Sequence, residues 1–233
     1  MRRTFVIGDI HGAYRALRQC LDRAAFDYAQ DELICLGDIC DGWPETKACI
    51  DELLKIRNLI VVLGNHDFWT RKWMESGFRE KMWLEQGGLA TTKSYGAQIP
   101  QSHQLLLENA LPYYIRDNKL FVHAGIDPRQ SLRLQGLDTF LWNRTLARMA
   151  YEFHLKKISI NITGYGEVYL GHTPIPYSQP ILACEIWLMD TGAGWSGVLS
   201  MMDIDSKDVF TSDPVPSLYP DAEGRKKGIE KGT

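Results

Sequence analysis

Aspartate, asparagine and histidine side chains recur in five short polar clusters along this 233-residue chain. Nearly every cluster directly follows a short apolar run. Carboxylate oxygens combined with imidazole nitrogens are donors that suit Mn, Fe or Zn ions. The clusters therefore predict a metal site, provided that the fold brings them together. In chain order they are Gly8-Asp9-Ile10-His11-Gly12, Gly37-Asp38-Ile39-Cys40-Asp41-Gly42, Gly64-Asn65-His66-Asp67, His123-Ala124-Gly125 and Gly171-His172-Thr173-Pro174.

The first cluster shows how such a site could form. Asp9 and His11 are two positions apart, and side chains on an extended segment alternate with a period of two, so both can reach one ion. The neighbouring glycines allow sharp turns and let a phosphate approach the backbone. A Gly-Asp pair after a strand is often only a turn, but five such clusters together are hard to explain by structure alone. His103 and His154 stand outside the clusters and are predicted to be structural or surface residues.

Three short strands are predicted at residues 4–8, 33–36 and 59–63. Helical spacing of apolar residues predicts helices between them, at residues 13–25 and 46–56. This β-α-β-α-β order favours parallel strands. In such sheets ligands bind at the carboxyl ends of the strands, and this is where the first three polar clusters fall.

Later elements complete the prediction. Residues 69–107 read as a helical lid or cover, although an ordinary packed helix pair would leave the same pattern. Further predicted elements are a hairpin at 113–115 and 120–122, a helix at 139–154, and strands at 168–170, 181–189 and 198–204. We predict a single domain over residues 1–212 and a polar C-terminal tail over residues 213–233, which is rich in Pro, Gly and charge.

Composition narrows the class of protein. Hydrophobic residues make up 45% and charged residues 24% of the chain, the profile of a soluble globular protein. No apolar run approaches the roughly 18 residues that a membrane span needs, and the first apolar run is too short for a signal peptide. The formal net charge of −3 gives no basic field for nucleic acid, and Arg225-Lys226-Lys227 reads as a solvated end. We therefore predict a cytoplasmic protein.

The clusters resemble those of the calcineurin-like metallophosphoesterases, whose pattern is D-x-H, G-D-x-x-D, G-N-H-[DE], H and G-H. The resemblance covers residues 4–204. It is strongest to the compact branch of bacteriophage lambda protein phosphatase, bacterial serine/threonine phosphatases and diadenosine tetraphosphatase. It implies an α/β fold with a central β-sandwich, flanked by helices, and a dinuclear metal site at the sheet edge. Two further segments are similar to that branch: Trp142-Asn143-Arg144 and Leu188-Met189-Asp190-Thr191-Gly192-Ala193.

The resemblance also implies a role for each site residue. His66 would protonate the leaving alcohol, and Asp41 would hydrogen-bond His66 and favour its charged form. Arg144 and Asn65 would contact the substrate phosphate. The cofactors would be two divalent ions, Mn first, with Fe, Zn or Ni as alternatives, which activate a water and clamp the reacting oxygens. The implied metal ligands are Asp9, His11 and Asp38 for one ion and Asp38, Asn65, His123 and His172 for the other, with Asp38 bridging.

One departure from the family pattern bears on the substrate. Protein phosphatases of this branch usually carry Asp-Arg-Gly where this chain has Asp41-Gly42-Trp43. There is also no arginine in Val61-Val62-Leu63, just before Gly64. Two phosphate-binding cations are therefore missing, and weaker binding of a dianionic phosphomonoester is expected.

Three functions follow from these observations. The first is a phosphatase that acts on phosphoserine, phosphothreonine or similar monoesters, with a phosphorylated protein or a small phosphoester as partner. The second is a nucleotide phosphohydrolase or phosphodiesterase, including diadenosine polyphosphate cleavage. The missing arginines and the aromatic residues of segment 69–83, which could stack on a base, favour it. The third is a catalytically inactive binding protein, which the complete ligand set argues against. Neither the oligomeric state nor the native metal is fixed by the sequence.

Overall fold

Two five-stranded β-sheets form the centre of residues 2–225, the part of the chain that the computed structural model describes. The first sheet has the strand order β10-β9-β1-β2-β3 and the second has the order β4-β5-β6-β8-β7. The strands are β1 (Thr4–Ile7), β2 (Glu32–Cys35), β3 (Asn58–Val61), β4 (Tyr113–Arg116), β5 (Lys119–Val122), β6 (Glu167–Leu170), β7 (Ile181–Ala183), β8 (Ile186–Leu188), β9 (Ser200–Asp203) and β10 (Val209–Thr211).

Helices cover the outer faces of both sheets. They are α1 (Tyr14–Arg23), α2 (Thr46–Leu53), α3 (Asn65–Ser76), α4 (Lys81–Trp83), α5 (Leu89–Tyr95), α6 (Gln101–Glu108), α7 (Leu137–Trp142), α8 (Thr145–Leu155) and α9 (Val215–Leu218), with a π-helical turn at Leu84–Gly88 and a 3₁₀ turn at Leu132–Leu134. None of the helices within residues 2–225 is both long and apolar enough to cross a bilayer.

Alternating side chains of the strands build three apolar layers. On β1, Phe5 and Ile7 face α1 and α2, whereas Val6 faces the other sheet. Between the sheets, the rings of Phe121 and Tyr169 stack with their centroids 4.7 Å apart. The outer face of the second sheet packs on α7 and α8. The predicted central β-sandwich flanked by helices is therefore confirmed.

Strand register decides which loops are neighbours. β1, β2 and β3 run parallel, and Ile7 pairs with Cys35, which pairs in turn with Val61. In the second sheet β5, β6 and β8 also run parallel, and Val122 pairs with Leu170. The loops after these strands therefore emerge side by side at one edge of each sheet. The predicted β-α-β-α-β unit with parallel strands is confirmed.

Two predicted elements are wrong. The strand predicted over residues 181–189 is a hairpin of β7 and β8, which turns where Cys184 adopts a positive φ of 60°. The helix predicted over residues 139–154 is broken into α7 and α8, because Asn143 has the extended ψ of 109°. The hairpin predicted around Asp117-Asn118 is confirmed, and both turn residues have the positive φ that a tight hairpin favours.

Candidate metal centre

All six predicted ligands lie together and are buried at the edge where the loops of the two sheets meet. Loops after β1, β2 and β3 supply four of them, and loops after β5 and β6 supply the other two. Neither sheet alone would complete the site. The six are Asp9, His11, Asp38, Asn65, His123 and His172.

Asp38 stands at the centre of this group. Its Oδ2 lies 3.6 Å from Nε2 of His11, and its Oδ1 lies 3.4 Å from Nε2 of His123. Ligand atoms of Asp38, His11 and His66 lie within 4.8 Å of one another, and so do those of Asp38, His123 and His172. The carboxylate is therefore shared by two sets of metal donors, the arrangement that two neighbouring cations need.

Backbone carbonyls fix the orientation of two ligand imidazoles. Nδ1 of His123 donates to the carbonyl of Leu36 at 2.8 Å. Nδ1 of His11 lies 3.2 Å and 3.1 Å from the carbonyls of Cys40 and Asp41. Because these contacts place the proton on Nδ1, each Nε2 is unprotonated and carries the lone pair that a metal ion would bind.

The polar atoms of the site fit a pair of cations. Nε2 of His172 and Nε2 of His66 are buried and have no hydrogen-bond partner within residues 2–225. Nε2 of His123 faces Oδ1 of Asn65 at 3.0 Å, although both atoms are acceptors in this arrangement. Buried acceptors are costly without a donor or a cation. A divalent ion beside His123, Asn65 and His172 would satisfy their atoms, whereas Nε2 of His66, which is not a predicted ligand, would still face the site without a partner among residues 2–225.

Burial shifts the ionisation of the cluster. It raises the pKa of Asp38 to about 7, and the nearby Arg225 opposes this rise. Burial, with Asp190 and Asp38 as neighbours, also raises the pKa of Asp9 well above its usual range. In the same environment the pKa of His123 falls to about 4. Cations in the site would supply the missing positive charge and hold these ligands deprotonated.

The ligand loops hold strained backbone conformations. His11, Asp38 and His172 have φ of 52°, 51° and 63°, in the left-handed region that non-glycine residues rarely adopt. The N–H of His172 donates to both carboxylate oxygens of Asp9, at 3.1 and 3.0 Å. Such strain persists only where the surroundings enforce it, and it is typical of functional sites.

Gly64 permits the closest backbone approach within the site. A Cβ at this position would overlap the backbone nitrogen and a carboxylate oxygen of Asp38. Gly64→Ala should therefore displace the Asp38 loop, lower the stability by roughly 1–3 kcal/mol, as overpacking does, and reduce the metal content. Thermal unfolding and metal analysis measure both effects. Gly136→Ala is the matched control, since nothing lies within 4 Å of a Cβ there. Wild-type stability and metal content in Gly64→Ala would contradict the close approach of the backbone at residue 64 to Asp38.

His66 and Asp41 form a buried pair beside the ligands. Nδ1 of His66 lies 2.8 Å from Oδ2 of Asp41. The same carboxylate accepts hydrogen bonds from Nε1 of Trp83 at 2.6 Å and from Oγ1 of Thr91 at 2.7 Å. Residues of the 69–107 segment therefore fix Asp41, which in turn orients His66. Burial lowers the pKa of His66 and raises that of Asp41, which opposes the charged form of His66 that the sequence predicted.

Arg144 lies at the break between α7 and α8. Its Nη1 donates to the carbonyl of His172 at 2.8 Å and lies 3.4 Å from Oγ1 of Thr173. The structure thus brings the arginine predicted to bind phosphate next to a predicted ligand. His103, which the sequence left without partners, contacts Tyr95 and Asp51 within hydrogen-bond distance and has a structural role.

Sequence reasoning gave no role in the site to three residues that contribute to it. Asp67 accepts hydrogen bonds from the N–H groups of Ile39 and Cys40 and so ties the Asp38 loop to the Asn65 loop. Asp190 is buried close to Asp9, and its position directly after a buried strand was a usable signal. Arg225 had no such signal. Its interpretation as a solvated end is wrong, because its Nη1 lies 3.2 Å from Nε2 of His11; Lys226 and Lys227 lie outside the described residues.

The family of the chain follows from comparison with known proteins. Residues 2–195 match the model of the calcineurin-like phosphoesterase family. Together with the two sheets and the shared carboxylate, this match shows that the chain belongs to that family. It is a metal-dependent phosphoesterase.

Curated relatives of the chain carry two different names. It is 28% identical over 212 residues to the serine/threonine-protein phosphatase 1 of Salmonella typhimurium, covering 87% of this chain and 92% of the relative. It is 30% identical to the symmetrical bis(5'-nucleosyl)-tetraphosphatase of Pseudomonas fluorescens, over an alignment that covers 93% of this chain and 98% of the relative. A solved structure provisionally named a diadenosine tetraphosphatase superimposes with a TM-score of 0.68 at 20% identity, over 91% of this chain and 93% of that one, which shows a shared fold.

Proposed function

We propose that this chain is a phosphatase that hydrolyses phosphomonoesters with two divalent metal ions, and that its substrates are phosphoserine or phosphothreonine residues of proteins. The observation that carries the proposal is the position of Asp38, whose two carboxylate oxygens face histidines from different sheets. The similarity to a serine/threonine-protein phosphatase over 87% of the chain supports the choice of substrate.

The ligand roles follow the two halves of the site. Asp9, His11 and Asp38 would hold one ion, and Asp38, Asn65, His123 and His172 would hold the other. Mixed oxygen and nitrogen donors favour Mn, with Fe, Zn or Ni as alternatives. When bound, the two ions lower the pKa of the attacking water and neutralise charge on the phosphate.

His66 would donate the proton that the leaving alcohol needs. Because burial lowers the pKa of His66, the ring would have to take up its proton in the complex with the anionic phosphate, whose negative charge favours the charged form. One ring nitrogen is held by Asp41, and Nε2 is buried without a partner beside the predicted ligands. Asp41, fixed by Trp83 and Thr91, would keep the ring in place as the proton moves. Arg144 and Asn65 would contact the phosphate.

The cytoplasmic location that the composition suggested stays a prediction.

Dinucleoside polyphosphates are the second candidate substrate class, and two tryptophans beside the site favour them. Trp142, half-buried at the end of α7, lies with its ring 6.3 Å from the ring of His172. Trp195, also half-buried, lies 4.5 Å from the guanidinium carbon of Arg225. An indole ring can stack on a purine base. The relative named as a tetraphosphatase is consistent with this class.

A substrate panel separates the two candidates. The Mn-loaded protein would be assayed with a phosphothreonine peptide, diadenosine tetraphosphate and an aryl phosphodiester. We expect the highest kcat/KM for the peptide. A higher kcat/KM for the dinucleotide would select the second candidate, provided that Trp142→Leu reduces it about tenfold, the usual contribution of base stacking, while peptide hydrolysis is unchanged. No hydrolysis of any of them by protein that holds two ions would contradict both and support an inactive binding protein.

A further inference from the structure

The guanidinium of Arg225 lies at the rim of the candidate metal centre. Its Nη1 donates to Nε2 of His11 at 3.2 Å, and its Nη2 lies 3.4 Å from Oε1 of Gln86. Its Nε is buried and has no hydrogen-bond partner among residues 2–225. Within residues 2–225, both hydrogen-bond partners of this side chain, His11 and Gln86, are thus neutral. An arginine placed beside a catalytic cluster, with donors still available, is suited to bind an anion.

The segment before Arg225 is anchored to the body of the protein. Val215 and Tyr219 are buried. The ring of Tyr219 stacks on that of Trp43 with a centroid distance of 5.1 Å, and its hydroxyl accepts a hydrogen bond from the N–H of Arg15 at 2.9 Å. The N–H of Arg225 itself donates to the carbonyl of Gly194 at 2.9 Å. The backbone at residue 225 is therefore held in place beside the site.

The glycine at position 42 leaves space for the side chain of Arg225. Gly42 has no side chain, and a Cβ added there would lie 3.1 Å from Cγ of Arg225. The next residue, Trp43, is buried, donates through Nε1 to the carbonyl of Ala193 at 2.8 Å, and stacks on Tyr219. A Cβ added at Gly224 would overlap the ring of Trp43. The Gly42-Trp43 pair, which replaces the usual Arg-Gly, thus leaves room for Arg225 and forms the surface that holds its segment.

We propose that Arg225 binds the phosphate of the substrate, and that a distant part of the chain thereby restores the cation that is missing after Asp41. This inference rests on the proposed function. If His11 binds an ion through Nε2, that nitrogen can no longer accept from Arg225, and two cations in close proximity repel each other. A phosphate dianion between them would turn this repulsion into attraction, with the planar guanidinium donating two parallel hydrogen bonds.

Binding of inorganic phosphate to the Mn-loaded full chain tests the proposal. Arg225→Met should weaken the phosphate affinity measured by calorimetry about tenfold, the low end for a hydrogen bond to a charged group. The KM for a phosphomonoester should rise by a similar factor, with kcat changed much less. Arg225→Lys keeps the charge but loses the planar pair of N–H donors. Its phosphate affinity and KM should therefore lie between those of the wild type and those of Arg225→Met.

Arg57→Met is the matched control. Arg57 is exposed and precedes β3, at the end of the strand opposite to the Asn65 loop, so the same loss of charge there should leave phosphate affinity and KM at wild-type values. Metal content and thermal midpoint would be measured for every variant. Unchanged phosphate affinity and KM in Arg225→Met would overturn the proposal. So would higher activity with tighter Mn binding, because Arg225 would then be a plug that competes with the metal. Wild-type protein that binds two ions but hydrolyses no phosphoester would contradict the proposed function instead.

Discussion

Asp38→Asn is expected to reduce phosphoester hydrolysis by more than about 100-fold and to lower the metal content below two ions per chain. Both carboxylate oxygens of Asp38 face a histidine of the cluster, so the substitution removes a ligand from two ions at once. The amide nitrogen of asparagine would also turn a donor toward one ion. Residues that only orient metal ligands already contribute about 10–100-fold, and loss of a shared ligand should exceed that range. Metal analysis of dialysed protein and an aryl phosphate assay measure the two effects.

Asp117→Asn provides the control for the loss of a carboxylate. Its side chain lies in the β4–β5 turn and is 82% exposed, so activity and metal content should match the wild type. Chelation offers an independent check, because prolonged dialysis against a strong chelator should remove activity and added Mn should restore it. Full activity in the presence of chelator would contradict a catalytic role for metal ions.

His66→Asn is expected to lose about 10²–10⁴-fold on an alkyl phosphate, the usual contribution of general acid catalysis, and clearly less on nitrophenyl phosphate. An acid helps only as far as the leaving oxygen needs its proton. Nitrophenolate leaves readily without one, whereas the alkoxide of serine does not. Both bound metals should remain, because His66 is not proposed as a ligand. Steady-state kinetics with the two substrates, together with metal analysis, make the comparison.

The Asp41–His66 pair allows a sharper version of this experiment. Asp41→Asn should show the same bias between substrates more weakly, since Asp41 acts through His66 at 2.8 Å. The double variant should lose less than the product of the single losses, because the two residues work as a unit. His154→Asn, in α8, is the control for an uninvolved histidine. Equal losses on both substrates, with metal content intact, would leave His66 as a residue that only positions the phosphate.

The sequence predicted which loops meet at the candidate site, because the signals for these loops are local. Asp9 and Asp38 each follow closely after a parallel strand, and the register of β1 and β2 brings their loops together. Once the strands are predicted as parallel, the meeting of these loops follows from topology. The strands of the second sheet were harder to predict from the sequence. The turn at Cys184 lies between two apolar runs that read as one strand, because the positive φ of a non-glycine residue leaves no mark on the sequence.

Contacts of residues that belong to no motif could not be predicted from the sequence. Trp83 and Thr91 fix Asp41 through hydrogen bonds, but the irregular spacing of their segment indicated only a helical cover. Arg225 contacts His11, which lies 214 positions earlier in the chain. The segment of Arg225 is anchored by the stacking of Tyr219 on Trp43, a contact that arises only when the whole chain packs. No periodicity or motif encodes such a contact, and local composition favoured a solvated end.

The division of the ligands between two sheets has a consequence for unfolding. Loops of the first sheet carry Asp9, His11, Asp38 and Asn65, and loops of the second carry His123 and His172. The ion that Asp38, Asn65, His123 and His172 would hold has ligands from both sheets, so it would act as a removable cross-link between the halves of the sandwich. Ligands that bind only the native state stabilise it by mass action. Amide hydrogen exchange in β5 and β6 should therefore quicken together with that in β1 and β2 when the metals are withdrawn.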